Sequence, residues 1–150
     1  MFMPRHILVP MDFSNYSASA LMHAVKIAAQ SNAKIFLLHV IDESLWQSAS
    51  DYRLNDAMIR QIIEHEVKIS MEKLQRESEC IVEANADLDI SVNVKQGIPY
   101  NEIMNMQEEK NIDLIVISSH GKTGMMKHLM GSVAEKVLRG TKCDVLLVKA

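Results

Sequence analysis

The segment from Ser118 to Ser132, SSHGKTGMMKHLMGS, combines residue types and spacings that could hold a phosphate group. It follows an apolar, strand-like run and leads into an amphipathic, helix-like pattern. Gly121 and Gly131 bracket the loop, and Ser132 stands where the following helix needs an N-cap. Glycine lets the backbone approach an anion closely, and the N–H groups and dipole of a helix N-terminus favour negative charge. The segment therefore predicts a phosphate-binding loop between a strand and a helix.

Other nucleotide, phosphate and metal motifs fit the sequence poorly. Residues 121–123 (GKT) resemble the end of a Walker-type P-loop, but that motif needs a glycine where Val116 stands. The GxGxxG fingerprint is missing after the first strand, where residues 10–14 read PMDFS. A response-regulator phosphoacceptor domain would need an aspartate where residues 95–96 read KQ. The six histidines show no spacing typical of metal ligands.

Composition and charge narrow the class of protein. The 150 residues carry a net charge of -3, which predicts neither a nucleic-acid-binding surface nor attraction to an anionic membrane. No apolar run approaches the roughly 20 residues that span a bilayer. Residues 1–5 lead directly into a strand pattern, without the apolar region of a signal peptide. Cys80 and Cys143 lack metal-ligand spacing, so we expect free thiols in a cytoplasmic protein.

Strand-like and helix-like patterns alternate along the chain. Continuously apolar strands are typical of a parallel sheet covered on both faces, whereas the alternation in the third strand predicts a sheet edge. With right-handed crossovers, these patterns predict an α/β fold: a single, doubly wound, five-stranded parallel sheet with helices on both faces, in one domain over residues 1–150. The predicted strands are 7–9, 35–40, 90–94, 114–117 and 145–148, and the helices 16–30, 54–85, 100–109 and 133 to a stop at Gly140.

The helix patterns also predict which residues are capped and buried. Ser14 is the expected N-cap of the first helix. The long helix should present a broad apolar face that includes Met58, Ile63 and Leu74. The expected buried stripe of the first helix is Ala20, Leu21, Ala24, Ile27 and Ala28.

The predicted topology brings the loop close to two other strand ends. Ligands of doubly wound sheets bind outside the carboxyl ends of the strands where the strand order reverses, here between the first and fourth strands. Asp12 follows the first strand, Val40 ends the second, and the glycine loop follows the fourth. We expect these three places to converge on one crevice.

The sequence resembles the universal stress protein family over essentially its whole length. The segments that carry the resemblance are HILVPMDFS, LLHV, GIPYNEI, DLIVISSHGKTGMMKHLMGSVAEKVL and TKCDVLLVK. Members that bind ATP carry Gly-x-x-Gly, nine residues, and then Gly-Ser or Gly-Thr. Here residues 118–121 are followed by residues 122–130 and then by Gly131 and Ser132. The second and third glycines are present, and Ser118 replaces the first.

The resemblance implies an adenine-nucleotide site. Asp12 would lie at the adenine end, and the Val40 backbone would hydrogen-bond the adenine edge. In the family the first glycine lies by the ribose, so the Ser118 hydroxymethyl group would either hydrogen-bond the sugar or crowd it. The phosphates would be held by Gly121, Gly131 and Ser132, with charge from Lys122 and Lys127; the other expected cofactor-binding residues are Pro10, His120 and Val133.

The resemblance also implies a function. We expect an ATP-binding stress-response protein, with AMP or ADP as alternative ligands, that acts as a switch or interaction module, with Mg²⁺ held mainly through the phosphates. One alternative is a dimeric interaction protein of the same family that holds no nucleotide. Another is a slow ATPase or phosphotransferase, for which His120 and Lys122 are the nearby candidates. The family usually dimerises through its final strands, so Val145–Val148 is the expected homodimer edge; the sequence does not name a protein partner.

Overall fold

A computed structural model describes residues 1–47, 54–121 and 129–149 of the chain. Strands and helices alternate in the predicted order, with a short additional helix after the second strand. The elements are β1 (His6–Pro10), α1 (Asn15–Ser31), β2 (Lys34–Asp42), α2 (Ser44–Gln47), α3 (Asp56–Ala84), β3 (Asp89–Gly97), α4 (Pro99–Glu109), β4 (Leu114–Ser118), α5 (Ser132–Gly140) and β5 (Asp144–Val148).

The five strands form one parallel sheet in the order β3-β2-β1-β4-β5, which confirms the predicted α/β fold. The chain builds outward from β1 to β3 and then crosses to β4 on the other side of β1. The strand order therefore reverses between β1 and β4, as predicted. β3 lies at one edge, as its alternating sequence predicted, and β5 lies at the other.

Helices cover both faces of the sheet because alternate strand residues point to opposite sides. One core cluster packs α1 and α3 against the sheet, with Val9 and Leu37 among its fully buried strand residues. The second packs α4 and α5 against the opposite face, where Leu8 and Ile115 are fully buried. The helix residues of these clusters include Ala20, Leu21, Ala24, Ala28 and Leu74 on the first face, and Ile103, Met106, Ala134 and Val137 on the second.

Two of the predicted burial positions are wrong. Ile27 is only half-buried, because the helical period places Val25 in the buried stripe with Leu21 and Ala28 and leaves Ile27 at its border. Met58 is 46% exposed. Met58 lies in the first turn of α3, a 29-residue helix about 43 Å long. The neighbouring nine-residue strand β3 spans only about 30 Å, so the sheet is too short to cover the whole helix.

The helices of the described segments are amphipathic rather than apolar throughout. None of them combines the length and apolar character needed to cross a membrane.

Candidate functional site

A crevice opens between β1 and β4 at the carboxyl ends of the strands. Among the described residues, the pairing of these two strands stops at Leu8 and Ile115, whereas β4 continues to Ser118. The Pro10 nitrogen carries no hydrogen and cannot donate to a neighbouring strand. The separation therefore begins where β1 loses a donor.

The orientation of Pro10 follows from the contacts of its neighbour. Met11 N donates to the Leu38 carbonyl at 2.8 Å, so Met11 directs its N–H toward β2. Successive residues of a strand direct their N–H groups to opposite sides. The missing donor of Pro10 therefore lies on the β4 side, which explains why the strands part at this point.

The turn after β1 fixes the Asp12 carboxylate. Asp12 Oδ1 accepts hydrogen bonds from the Ser14 amide at 2.9 Å and from the Ser14 hydroxyl. Ser14 caps α1, as predicted, by accepting a bond from the Ser17 amide at 3.1 Å. Between them, Phe13 has a φ angle of 63°, which is uncommon for a bulky residue. The turn leaves Asp12 Oδ2 3.1 Å from the position of a Cβ at Gly121.

Aromatic and cationic groups support this turn from the side of β2 and α3. His39 Nδ1 donates to the Met11 carbonyl at 2.6 Å, and its ring lies 4.5 Å from that of Phe13. Lys73 Nζ lies 5.0 Å from the Phe13 ring centre. His39 is therefore a half-buried histidine whose hydrogen bond holds the turn after β1.

The Val40 backbone faces the space beyond the end of β1. β1 pairs with β2 only as far as Pro10 and Leu38, whereas β2 continues to Asp42. Val40 lies two residues after Leu38, so its N–H and C=O point to the same side as the Leu38 carbonyl. Its half-buried side chain packs against the second core cluster. A donor and an acceptor at this place can recognise an adenine edge whatever the side chain is.

The start of the β4–α5 loop is fixed by hydrogen bonds to His120. The Ser118 hydroxyl donates to the His120 carbonyl at 2.7 Å, and the Ser119 hydroxyl lies 2.8 Å from His120 Nδ1. The His120 ring lies 5.7 Å from that of Tyr16 in the first turn of α1. The Ser118 hydroxyl, which the family resemblance places by the sugar, is thus bonded within the loop.

Gly131, rather than Ser132, is the N-cap of α5, which corrects the prediction from sequence. The Gly131 amide donates to the Ser119 carbonyl at 2.7 Å, and its carbonyl accepts from Glu135 N at 3.0 Å. The helical ladder therefore begins at Gly131, and Ser132 is the first, exposed residue of the helix. Val133 is half-buried, and its side chain packs against the second core cluster.

The described candidate residues surround this one crevice. Asp12, His120, Gly121 and Gly131 come together, Pro10 and Ser118 end β1 and β4, and Ser132 and Val133 lie in the first turn of α5. Contrary to the prediction from sequence, Val40 does not end its strand, because β2 continues to Asp42 along β3. Lys122 and Lys127 lie outside the described residues. In the described parts of the chain, no three His, Cys, Asp or Glu side chains are grouped to hold a metal ion.

Sequence reasoning missed two residues of this site. Phe13 supports the Asp12 turn, and Tyr16 packs against His120. Both belong to the segment that joins β1 to the first turn of α1, next to the predicted crevice. That placement was available from the sequence, but their contacts depend on residues that are distant in the chain.

Comparison with known proteins identifies a family for the whole fold. The family model described as the universal stress protein family matches residues 3–149. Universal stress protein MJ0531 of Methanocaldococcus jannaschii is 30% identical, over 97% of this chain and 82% of the relative. This relative is therefore matched over most of its length.

Solved structures agree with this assignment. The structure of MJ0577, another universal stress protein of M. jannaschii, is 32% identical and covers 99% of this chain and 98% of its own, with a TM-score of 0.80. A universal stress protein solved in complex with cAMP is 26% identical, with coverages of 99% and 98% and a TM-score of 0.66. The family model covers residues 3–149, and the parallel sheet is shared with these solved structures. The chain belongs to the universal stress protein family.

Proposed function

We propose that the crevice binds an adenine nucleotide and that the protein acts as a ligand-dependent switch or interaction module in the stress response. The similarity to a universal stress protein that was solved with cAMP supports the class of ligand. The observation that carries the proposal is the glycine at position 131. The fold explains why Gly97 and Gly140 are glycine, but it does not explain Gly131.

Gly97 and Gly140 are required by the fold. Gly97 has a φ angle of 155°, and a Cβ there would lie 2.8 Å from Glu102 Oε1. A Cβ at Gly140 would collide with the Tyr100 hydroxyl. A side chain at Gly97 would be strained by the φ angle, and one at Gly140 would have to displace Tyr100, so the protein itself disfavours a side chain at both positions.

Gly131 has no such requirement. Its φ and ψ angles are -60° and 146°, which any residue can adopt, and a Cβ there would meet the Ser119 carbonyl at an ordinary distance of 3.5 Å. Folding does not explain a glycine here, whereas close approach of a ligand to the backbone does. Gly131 also begins α5, where N–H groups and the helix dipole favour a phosphate.

The charges of the crevice orient the ligand. The Asp12 carboxylate would repel a phosphate, so we place the nucleoside near Asp12 and Val40. The phosphates then lie against Gly131, Ser132 and the Val133 amide. ATP is the proposed ligand, with AMP and ADP as the alternatives. Mg²⁺ would be held mainly by phosphate oxygens, because it keeps water and substrate phosphates as ligands in preference to a protein cage.

We also propose a homodimer formed through β5 and a cytoplasmic location. β5 lies at the edge of the sheet with half-buried apolar residues, and an edge strand can pair with a second copy. Both cysteines are free thiols, which supports a reducing compartment.

The first test uses protein purified without added nucleotide. The protein is denatured, and the released nucleotides are quantified by chromatography and mass spectrometry. We expect adenine nucleotide in near-stoichiometric amount. If the protein is empty, titration calorimetry with MgATP should still give saturable binding; failure to bind at millimolar concentration would contradict the proposal.

A paired substitution tests the site itself. Gly131→Ala adds a methyl group that the protein tolerates but that occupies the space proposed for phosphate, so we expect about tenfold weaker binding. Asn101→Ala, at an exposed position in the first turn of α4, is the matched control and should bind like the original chain. Equal affinity of all three proteins would show that the ligand does not approach Gly131.

A further inference from the structure

Ser118 stands where nucleotide-binding members of the family carry glycine, yet its side chain is used inside the loop. It is 9% exposed, and its hydroxyl donates to the His120 carbonyl at 2.7 Å. We propose that Ser118 is a positioning residue, which sets the direction of the Gly121 N–H before a ligand arrives. The inference rests on the proposed nucleotide site for its effect on affinity, but not for its effect on the loop.

The effect is transmitted through one peptide group. The His120 carbonyl and the Gly121 N–H belong to the same planar unit and, in a trans peptide, point in opposite directions. No cis peptide bond occurs in the described chain. When the Ser118 hydroxyl holds the carbonyl, it therefore turns the Gly121 N–H away from Ser118.

Two further contacts hold the same residue. The Ser119 hydroxyl lies 2.8 Å from His120 Nδ1, and the Tyr16 ring packs against the imidazole. Backbone, ring nitrogen and ring face of His120 are thus each restrained by a different residue. The two ring contacts restrain the imidazole, whereas the Ser118 bond restrains the 120–121 peptide, whose rotation would require that bond to break.

The positioned peptide is adjacent to the end of the loop where α5 begins. Gly121 N lies 3.8 Å from the position of a Cβ at Gly131, and the Gly131 amide donates to the Ser119 carbonyl at 2.7 Å. We therefore expect disorder at residues 118–121 to weaken the hydrogen bond between the Gly131 amide and the Ser119 carbonyl. Exchange of the Gly131 amide hydrogen reports on this hydrogen bond in the protein without ligand.

A glycine at position 118 would remove two restraints. The hydroxyl bond to His120 would be lost, and the backbone would gain conformational freedom. A binding site that must be ordered by its ligand binds more weakly than one already in the bound shape. We therefore expect binding to be tightest with serine at position 118, weaker with alanine and weakest with glycine, although the family motif carries glycine.

The experiment compares the original chain with Ser118→Ala, Ser118→Gly and Ser31→Ala. The Ser31 hydroxyl also donates to a backbone carbonyl, that of Ile27 at 2.9 Å, but at the far end of α1. Affinity for MgATP is measured by calorimetry. Exchange of the Gly131 amide is measured by NMR without ligand, relative to the Val9 amide in the central strand.

We expect Ser118→Ala to weaken binding by about three- to tenfold, the range that one hydrogen bond supports, and Ser118→Gly to weaken it further. Gly131 exchange should accelerate in the same order while Val9 exchange and Ser31→Ala stay near the original values. Tighter or unchanged binding of Ser118→Gly would overturn the proposal, because the serine would then crowd the ligand or do nothing.

The two proposals can fail separately. If the original chain binds no adenine nucleotide, the proposed function fails, and the exchange measurement alone decides the role of Ser118. Faster Gly131 exchange in Ser118→Ala, with Val9 exchange unchanged, would support its positioning of the loop. Equal exchange in all four proteins would overturn it.

Discussion

The Asp12 carboxylate faces Gly121 across the crevice, with Oδ2 3.1 Å from the position that a Cβ would take at Gly121. The two residues are far apart in sequence and belong to different strand–helix turns. At this distance a Cβ on Gly121 would be a tight contact, and Asp12 or the loop would have to shift by a few tenths of an ångström to admit it. Gly121 is thus constrained by Asp12, whereas Gly131 is not constrained by the protein.

Gly121→Ala should weaken nucleotide binding with little loss of fold. The added methyl group requires Asp12 or the loop to move by a few tenths of an ångström, which displaces the carboxylate from its place. We expect about tenfold lower affinity, or about 1.4 kcal/mol, in calorimetry with MgATP. The melting temperature should stay within a few degrees, and Asn101→Ala again serves as the control. Unchanged affinity would mean that the carboxylate position does not matter for binding.

Gly140→Ala should have the opposite profile. The new methyl group would overlap with the Tyr100 hydroxyl where α4 packs against α5, so the free energy of unfolding should fall by about 1–3 kcal/mol. Urea denaturation measures this loss. The same substitution made together with Tyr100→Phe should cost less, because the overlapping oxygen is gone. If the cost is equal in both backgrounds, the collision with Tyr100 is not its cause.

Much of the fold follows from patterns that are local in sequence. Apolar runs such as β4, which is buried throughout, indicate a covered parallel strand, and the alternation in β3 indicates an edge. The reversal of strand order between β1 and β4 then gives the location of the crevice. The position of the candidate site could therefore be predicted without coordinates.

The remaining details depend on contacts between distant residues. The sequence left open whether Ser118 contacts or crowds a sugar, because the bond to the His120 carbonyl depends on the shape of the loop. It placed the N-cap at Ser132, because serine is a better cap than glycine. The Ser119 carbonyl, however, holds the Gly131 amide and begins the helix one residue earlier.

Val145→Pro should separate the proposed homodimer. Ser119 N donates to the Val148 carbonyl at 2.8 Å. Because strand residues alternate in direction, Val148 and Leu146 point their N–H and C=O groups toward β4. Val145 and Leu147 direct theirs to the open edge. Proline at 145 removes an outward N–H without breaking the β4–β5 pairing, and edge strands tolerate proline. Sedimentation equilibrium should change from the mass of two chains to the mass of one.

Two variants control this experiment. Val145→Ala keeps the N–H and should remain dimeric, whereas Leu146→Pro removes a donor to β4 and should lower the melting temperature. Circular dichroism establishes that the Val145→Pro monomer is folded. A folded Val145→Pro protein that is still dimeric would place the interface elsewhere, and a monomeric original chain would contradict the dimer.

Cys143 should make the stability of the protein depend on pH in the alkaline range. Partial burial raises the pKa of this thiol above its ordinary value of 9.0, and the charges of Asp144 and Asp113 act in the same direction, while the hydrogen bond with Thr141 opposes them. The folded chain therefore keeps the proton at pH values where the unfolded chain has lost it.

The sign of the effect follows from proton binding. Since the folded state binds more protons, the stabilisation from Cys143 is fully present below the pKa of the unfolded chain and is lost as the pH rises through the folded pKa. The free energy of unfolding should therefore fall as the pH rises above the ordinary thiol pKa of 9.0 in the original chain. In Cys143→Ala the decrease should be smaller, as measured by urea denaturation at each pH.

Alkylation by iodoacetamide at pH 8, followed by mass spectrometry, should modify the exposed Cys80 before Cys143, because the thiolate is the reactive form. Faster modification of Cys143, or equal pH dependence of the two proteins, would show that its thiol is not protected by burial.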